Sequence, residues 1–503
     1  MSRIWNLLEF LDDWLNPIVV KELRQAVAGR FVTAMLILFL LVQLAAIALT
    51  LVDRSYVYQG FSAGREAFTT LMVLLMLTTT VIIPIYSGVR IAGERSDTNL
   101  DLLFITTIKP GGIVKGKLFA SLAVALLIYS ACAPFLTFTY LLRGIDLPTI
   151  FTVLLISLFA VATNIMISLF LGCLPASAIF RYLLIPVALL FFFQNFGITM
   201  AFMQDLVRNG VGSRLGSWDF WLGGSLAVSM DVLVILALFV MTTTVLTPPQ
   251  ANRALPVRRI VTLGWLFMGG LVALITWTEG TVHALEAWAS ISTFIFSVAF
   301  LAGVSERDDP GIRVRKEIPV GGIRRILAFL FYSGSANGVI WAAMMIAGTL
   351  GFGVFFSHVV LSAPGVFGRF TSSSTMFQLI GMAMYFYAYS MSAMLLNRYL
   401  FAQRFDGSVT WVVALFLAAI GGTAGPLLGW ILFQSNSYVW MIANPIMIAD
   451  RTYQDGAFAF ALVWCLVVTL LSVPWFSKQV QNFKPLSPTR KKVPPVVSDV
   501  LPA

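Results

Sequence analysis

Charge is scarce in this chain. Asp, Glu, Lys and Arg make up 11% of its 503 residues, against 59% hydrophobic ones. A soluble domain carries about a quarter charged residues and about half apolar ones. No soluble fold of this length has interior enough to hide the difference, so lipid must cover the rest. Cysteine is scarce too. Cys132, Cys173 and Cys465 all fall inside apolar runs, with no metal-ligand spacing and no obvious disulfide pair. They read as small buried hydrophobes. The two histidines, His283 and His358, fall in different loops with no further ligands beside them, so no metal site is expected. No Ser/His/Asp set and no paired carboxylates stand out. The expectation is therefore no catalytic residue, no cofactor and no enzymatic activity.

What is abundant is apolar sequence in long runs. About 20 such residues cross the ~30 Å of bilayer hydrocarbon. Twelve runs qualify: 31–52, 68–89, 118–142, 149–174, 180–203, 225–247, 261–278, 287–304, 336–357, 371–396, 411–434 and 457–476. The predicted fold is all-α, a polytopic membrane protein of about twelve transmembrane helices. Residues 1–250 form a first transmembrane unit, 251–480 a second, and 481–503 a disordered cytoplasmic tail rich in proline. The runs at 261–278 and 287–304 are short, and a re-entrant hairpin competes with two spans there. Membrane lipid is the expected surrounding.

Basic residues test this map. With alternating sides, the segments on the N-terminal side hold 26 of the 33 lysines and arginines. That asymmetry predicts cytoplasmic termini. The net charge of +10 then reports topology and not nucleic-acid binding. Residues 1–16 place Ile4, Trp5, Leu7, Leu8, Leu11, Trp14 and Leu15 on one helical face, which predicts an amphipathic helix that lies in the membrane interface or, given its acidic polar face, packs on the protein's own helices. No small-residue cleavage site follows the apolar run at 31–52.

Acidic residues are nearly missing from the spans. Of 23, only Asp231 falls inside one, about two turns from its outer end, where it reads as a snorkelling side chain. Ion-driven carriers usually keep several ionisable groups in the membrane. Energy is therefore expected to enter from elsewhere.

The segment Gly111-Gly112-Ile113-Val114-Lys115-Gly116-Lys117-Leu118 nearly matches a phosphate-binding loop. It lacks the Mg²⁺-binding Ser or Thr at Leu118 and has no preceding strand. It reads as a turn leading into the third span. Gly421, Gly425 and Gly429 recur every four residues, as in a close helix seam. Tyr385, Tyr387 and Tyr389 read as packing residues. The stretch 90–118 is the most informative. After Arg90, Glu94 and Arg95, the pair Ser96-Asp97 supplies N-cap types. Leu100, Leu103, Phe104 and Ile108 follow at helical spacing, and Lys109-Pro110-Gly111-Gly112 closes the segment. A short amphipathic helix over 97–109 is predicted.

Three segments carry a family resemblance. Asn16-Pro17 with Lys21-Glu22-Leu23-Arg24-Gln25 resembles the opening of bacterial type-2 ATP-binding-cassette (ABC) exporter permeases. Glu94-Arg95 with Leu100, Leu102, Leu103, Thr106, Ile113-Val114 and Gly116-Lys117 is similar to a second block of that family. Leu246-Thr247-Pro248-Pro249-Gln250 resembles a third. The family's usual Gly-Thr is replaced by Thr98-Asn99. The second half matches only loosely; Glu306-Arg307-Asp308-Asp309, 212 positions beyond Glu94, reads either as the trace of a degenerate six-helix repeat or as chance.

The resemblance implies a permease subunit in a bacterial inner membrane, exporting its substrate with a separate ABC ATPase subunit as partner. It makes Asn16, Pro17, Lys21, Glu22 and Arg24 part of a connecting segment. Glu94, Arg95, Leu100, Leu103, Phe104 and Ile108 become the element that couples to the ATPase. Homo- or hetero-dimerisation of the permease stays open. An ion-coupled secondary carrier and a non-transporting scaffold are the alternative readings.

Overall fold

A backbone in hydrocarbon must satisfy its own N–H and C=O groups, which leaves helices as the economical answer to long apolar runs. The computed structural model describes residues 17–52, 63–96, 109–142, 144–174, 178–248, 250–279, 282–308, 311–357, 374–400, 407–433, 441–450, 452 and 454–485, and every regular element among them is helical. In chain order these are α1 (Pro17–Ala28), α2 (Arg30–Val52), α3 (Ala63–Leu77), a π-turn (Thr78–Ile82), α4 (Ile83–Ser96) and α5 (Pro110–Leu141). Then come α6 (Leu147–Cys173), α7 (Ala178–Asn209), α8 (Trp218–Leu246), α9 (Ala254–Glu279), α10 (His283–Val304), α11 (Ile312–Glu317) and α12 (Gly322–Phe331). The last four are α13 (Ser335–Phe355), α14 (Ser374–Tyr399), α15 (Thr410–Phe433) and α16 (Gln454–Asn482).

Twelve of these helices are long and apolar enough to cross a membrane, with α3, the π-turn and α4 counting as one. The chain is a polytopic α-helical membrane protein. The seventh and eighth spans are complete helices, α9 of 26 residues and α10 of 22, so no re-entrant hairpin is needed there. The predicted turn at 111–117 is also corrected. Pro110 occupies the first position of α5, where its missing N–H costs nothing, and the helix runs unbroken through both glycines. The helix expected over 1–16 and the one expected over 97–109 lie outside the described residues, apart from Lys109.

Two compact units divide the chain. Unit 1 comprises Met1–Thr247 and Pro256–Ile275, and unit 2 comprises Pro248–Leu255 and Thr276–Ala503.

In unit 1, α6 is the hub, packing against α4, α5, α7 and α8. Its seam with α4 follows from local sequence. Pro84 lacks the N–H that an α-helix would direct at the Thr80 carbonyl. Asn164 Nδ2 of α6 donates to that carbonyl instead, at 2.8 Å. One turn on, Ser168 Oγ donates to the Pro84 carbonyl. Glycine makes this closeness feasible. A Cβ on Gly172 would stand 2.4 Å from Ile91 Cγ2 and 2.7 Å from the Gly88 carbonyl oxygen.

In unit 2, α14 is the hub, packing against α10, α15 and α16, while α13 packs on α10. Its tyrosines are packing residues, as expected. Tyr385 donates to the carbonyls of Ile442 and Ala457, Tyr389 donates to the Ala443 carbonyl, and Tyr387 shares a hydrogen bond with Thr469. Gly421 of α15 closes directly on the Tyr389 ring, where a Cβ would meet its hydroxyl at 2.0 Å. Residues 481–485, assigned to the tail by sequence, include Phe483, which is buried among Ile318, Ala328, Phe329 and Tyr332.

Candidate functional site

Among the described residues of unit 1, the densest charge sits where α1, the end of α4 and the start of α5 meet. Pro17 opens α1, whose Ile18, Val19, Glu22 and Ala26 form the buried stripe expected of an amphipathic helix. That stripe lies on α5 because Gly116 has no side chain. A Cβ there would stand 2.6 Å from Ile18 Cγ2. Close backbone approach then brings Glu22 beside Lys117.

Lys117 Nζ lies 2.7 Å from Glu22 Oε1 and 2.8 Å from Glu94 Oε2, and Arg90 Nη2 lies 2.9 Å from Glu22 Oε2. The same Arg90 nitrogen donates to Gln25 Oε1 at 2.7 Å, and Arg90 Nη1 donates to the Tyr86 hydroxyl at 3.3 Å. Phe31 stacks on Tyr86 with ring centroids 4.8 Å apart. Two carboxylates and two cations thus balance in one network. Lys117 and Glu22 are only 5% and 6% exposed, so water does little to screen them. Below the charges, Ser87 and Ser121 share a 2.7 Å hydrogen bond, and a small cavity extends between Tyr86, Ala120 and Leu169.

This arrangement offers no nucleophile poised beside a base. Its chemistry is mechanical: four charged groups bind three helix ends. Removing one member of a buried ion set leaves the remainder uncompensated, at a cost of about 3–5 kcal/mol.

The sequence-predicted residues divide as follows. Glu22 and Glu94 meet through Lys117, while Lys21 and Arg24 are exposed on α1. Pro17 begins α1, and Arg95 lies in the last turn of α4. Asn16, Leu100, Leu103, Phe104 and Ile108 lie outside the described residues. Sequence reasoning placed Arg90 and Lys117 in a loop and gave neither a role in the site. The available signal was Lys117 at the close of the second resembling block, next to the glycine that admits Ile18.

A second polar set lies deeper in unit 1. Asn195 Nδ2 donates to Asn164 Oδ1 at 2.7 Å, and Thr163 donates to Asp231 at 3.3 Å. Helix α8 begins at Trp218, so Asp231 stands thirteen residues, about 20 Å, along it and half-buried against α6.

In unit 2, Asp308 pairs with Arg398 and accepts from Ser335 Oγ, while Glu306 Oε2 accepts from the Gly334 N–H at 2.7 Å. The three cysteines are free. Among the described residues, no group of three His, Cys, Asp or Glu side chains could hold a metal ion. No protein-family model, curated protein or solved structure matches the chain.

Proposed function

We propose that this chain is the membrane-spanning permease subunit of an ABC exporter, driven by a separate ATPase in a bacterial inner membrane with both termini cytoplasmic. One observation carries the reading. Two of the segments that carry the resemblance come together in a single buried ion network, through Glu22 from the first and Glu94 and Lys117 from the second. Glu94 and Lys117 bracket the segment 97–108, so the network ties both of its ends to α1. A force applied to that segment would reach α4 and α5 together. Such a segment suits an amphipathic lever whose apolar residues Leu100, Leu103, Phe104 and Ile108 dock in a groove of a partner.

The test is purification of the tagged chain from its native membrane in mild detergent, with ATP hydrolysis as readout. A separate ATPase polypeptide should co-purify, and the chain stripped of it should hydrolyse nothing. Leu103→Asp with Phe104→Asp should keep membrane yield and lose the ATPase, because an unpaired charge enters a buried contact. Wild-type co-purification and hydrolysis by the double variant would refute the coupling role. Gradient-driven transport by the lone chain in vesicles would replace this reading with the secondary carrier.

A further inference from the structure

The connection between α10 and α13 carries a surface of unusual composition. Val320, Ile323, Ile326 and Leu327 are 85%, 79%, 67% and 54% exposed. At 100° per residue, Ile323, Ile326 and Leu327 fall within one stripe of about 100° on α12, the width of a burying face. Arg324 flanks it, and Arg313 and Lys316 of α11 are exposed nearby in sequence.

The opposite side of α12 is already held. Ala328 and Phe329 pack on Phe483, and Arg325 Nε donates to the Phe483 carbonyl at 2.9 Å. Phe483 directly follows the span α16, and the span α13 begins four residues after α12 ends. Helix α12 is therefore held beside the ends of two span helices, and the ends of a span point toward the headgroup region.

We propose that α11 and α12 form an interfacial lipid-binding surface, with Ile323, Ile326 and Leu327 entering the acyl boundary and Arg313, Lys316 and Arg324 receiving anionic phospholipid headgroups. An apolar stripe flanked by cations is the composition that lies in an interface. Each cation near an anionic surface adds to the binding. The level of α12, pinned to span ends on both sides, favours the bilayer over a soluble protein as occupant.

The test uses the full chain with Cys132, Cys173 and Cys465 replaced by alanine, in vesicles of phosphatidylcholine and phosphatidylglycerol. Spin labels at Ile323→Cys and Ile326→Cys should collide more with oxygen than with a water-soluble nickel chelate. A label at Lys316→Cys should show the reverse. Independently, Arg313→Gln, Lys316→Gln and Arg324→Gln together should lower the phosphatidylglycerol retained in native mass spectra by about tenfold or more. These three side chains are exposed, so folding should survive their change. Nickel-chelate access at Ile326 equal to that at Lys316 would overturn the proposal. So would unchanged lipid retention, or shielding of Ile326 only on addition of a soluble protein.

Discussion

Unit 1 and unit 2 each gather helices around a hub, the fourth span α6 in one and the tenth span α14 in the other. The second, third, fifth and sixth spans pack on α6, whereas the eighth, eleventh and twelfth pack on α14 and the ninth packs on α10 instead. Both units also tie the connection after the hub's first neighbour to the span that follows. In unit 1 Glu94 binds Lys117 of α5, and in unit 2 Glu306 binds the Gly334 N–H ahead of α13. The chemistry of the ties differs. Unit 1 buries its cation at 5% exposure, whereas Arg398 and Asp308 of unit 2 keep 34% and 30%. The two hubs thus carry unequal polar closures. The buried closure is the one that gives up most when a single member is lost, because no water replaces the partner.

The sharpest way to break this contrast is to remove one cation from each unit. Lys117→Met should destabilise by about 3–5 kcal/mol, since Glu22 is buried and loses its closest cation. Arg398→Met should cost only about 1 kcal/mol, because Asp308 keeps Ser335 and water. Thermal unfolding in detergent reads both. Equal losses would end the distinction between buried and wet closures.

Helix seams give a smaller separation. Gly172→Ala sets a methyl against the Gly88 backbone carbonyl, which cannot rotate away, and should cost about 1–3 kcal/mol. Gly381→Ala meets side-chain atoms alone, Ile448 Cδ1 at 2.1 Å and Cγ1 at 2.5 Å, which can shift where a backbone carbonyl cannot, and should cost less in the same melt.

The smallest effects concern side-chain hydrogen bonds. Asn164→Leu leaves the Thr80 carbonyl without its donor and Asn195 without its Oδ1 acceptor, and should cost about 1 kcal/mol, the scale of such bonds inside membranes. In a Pro84→Ala background the helix regains an N–H there, and the penalty should shrink. A double-mutant cycle measures the coupling, and strict additivity would refute this account of the seam. Tyr385→Phe should cost a similar amount in unit 2, with no dependence on Pro84.

Sequence alone carried the spans, because hydrophobic length is what the bilayer selects. It carried the packing role of Tyr385, Tyr387 and Tyr389 too, since Tyr387 cannot share a face with the other two. It failed where a local rule met a tertiary one. Lysine is ordinarily given to water, and only the approach of Ile18 to Gly116 reveals that Lys117 is covered. Pro110 and two glycines look like a turn, yet a proline at the first helical position starts a helix as readily as it stops one. The helix ahead of the apolar run at 225–247 went unread because the aromatic and glycine-rich stretch from Trp218 gives little sign that α8 has already begun. Within the network, Glu22 and Glu94 were legible through the resemblance, whereas nothing in residue spacing joins positions separated by 95 residues, as Glu22 and Lys117 are.

The bond between Asn164 and Thr80 also sets a schedule for making the protein. Its two residues are 84 positions apart, and so are Ser168 and Pro84. At about 5–20 residues per second, a ribosome takes roughly 4–17 s to cover that distance. For that interval the Thr80 carbonyl of the second span lacks the donor that the fourth span will bring, while the Pro84 carbonyl can still accept from the helix's own Gly88 N–H. Release of the second span into open lipid before then would expose one bare carbonyl group to hydrocarbon. An insertion site that sheltered the second span until the hub emerged would remove that cost.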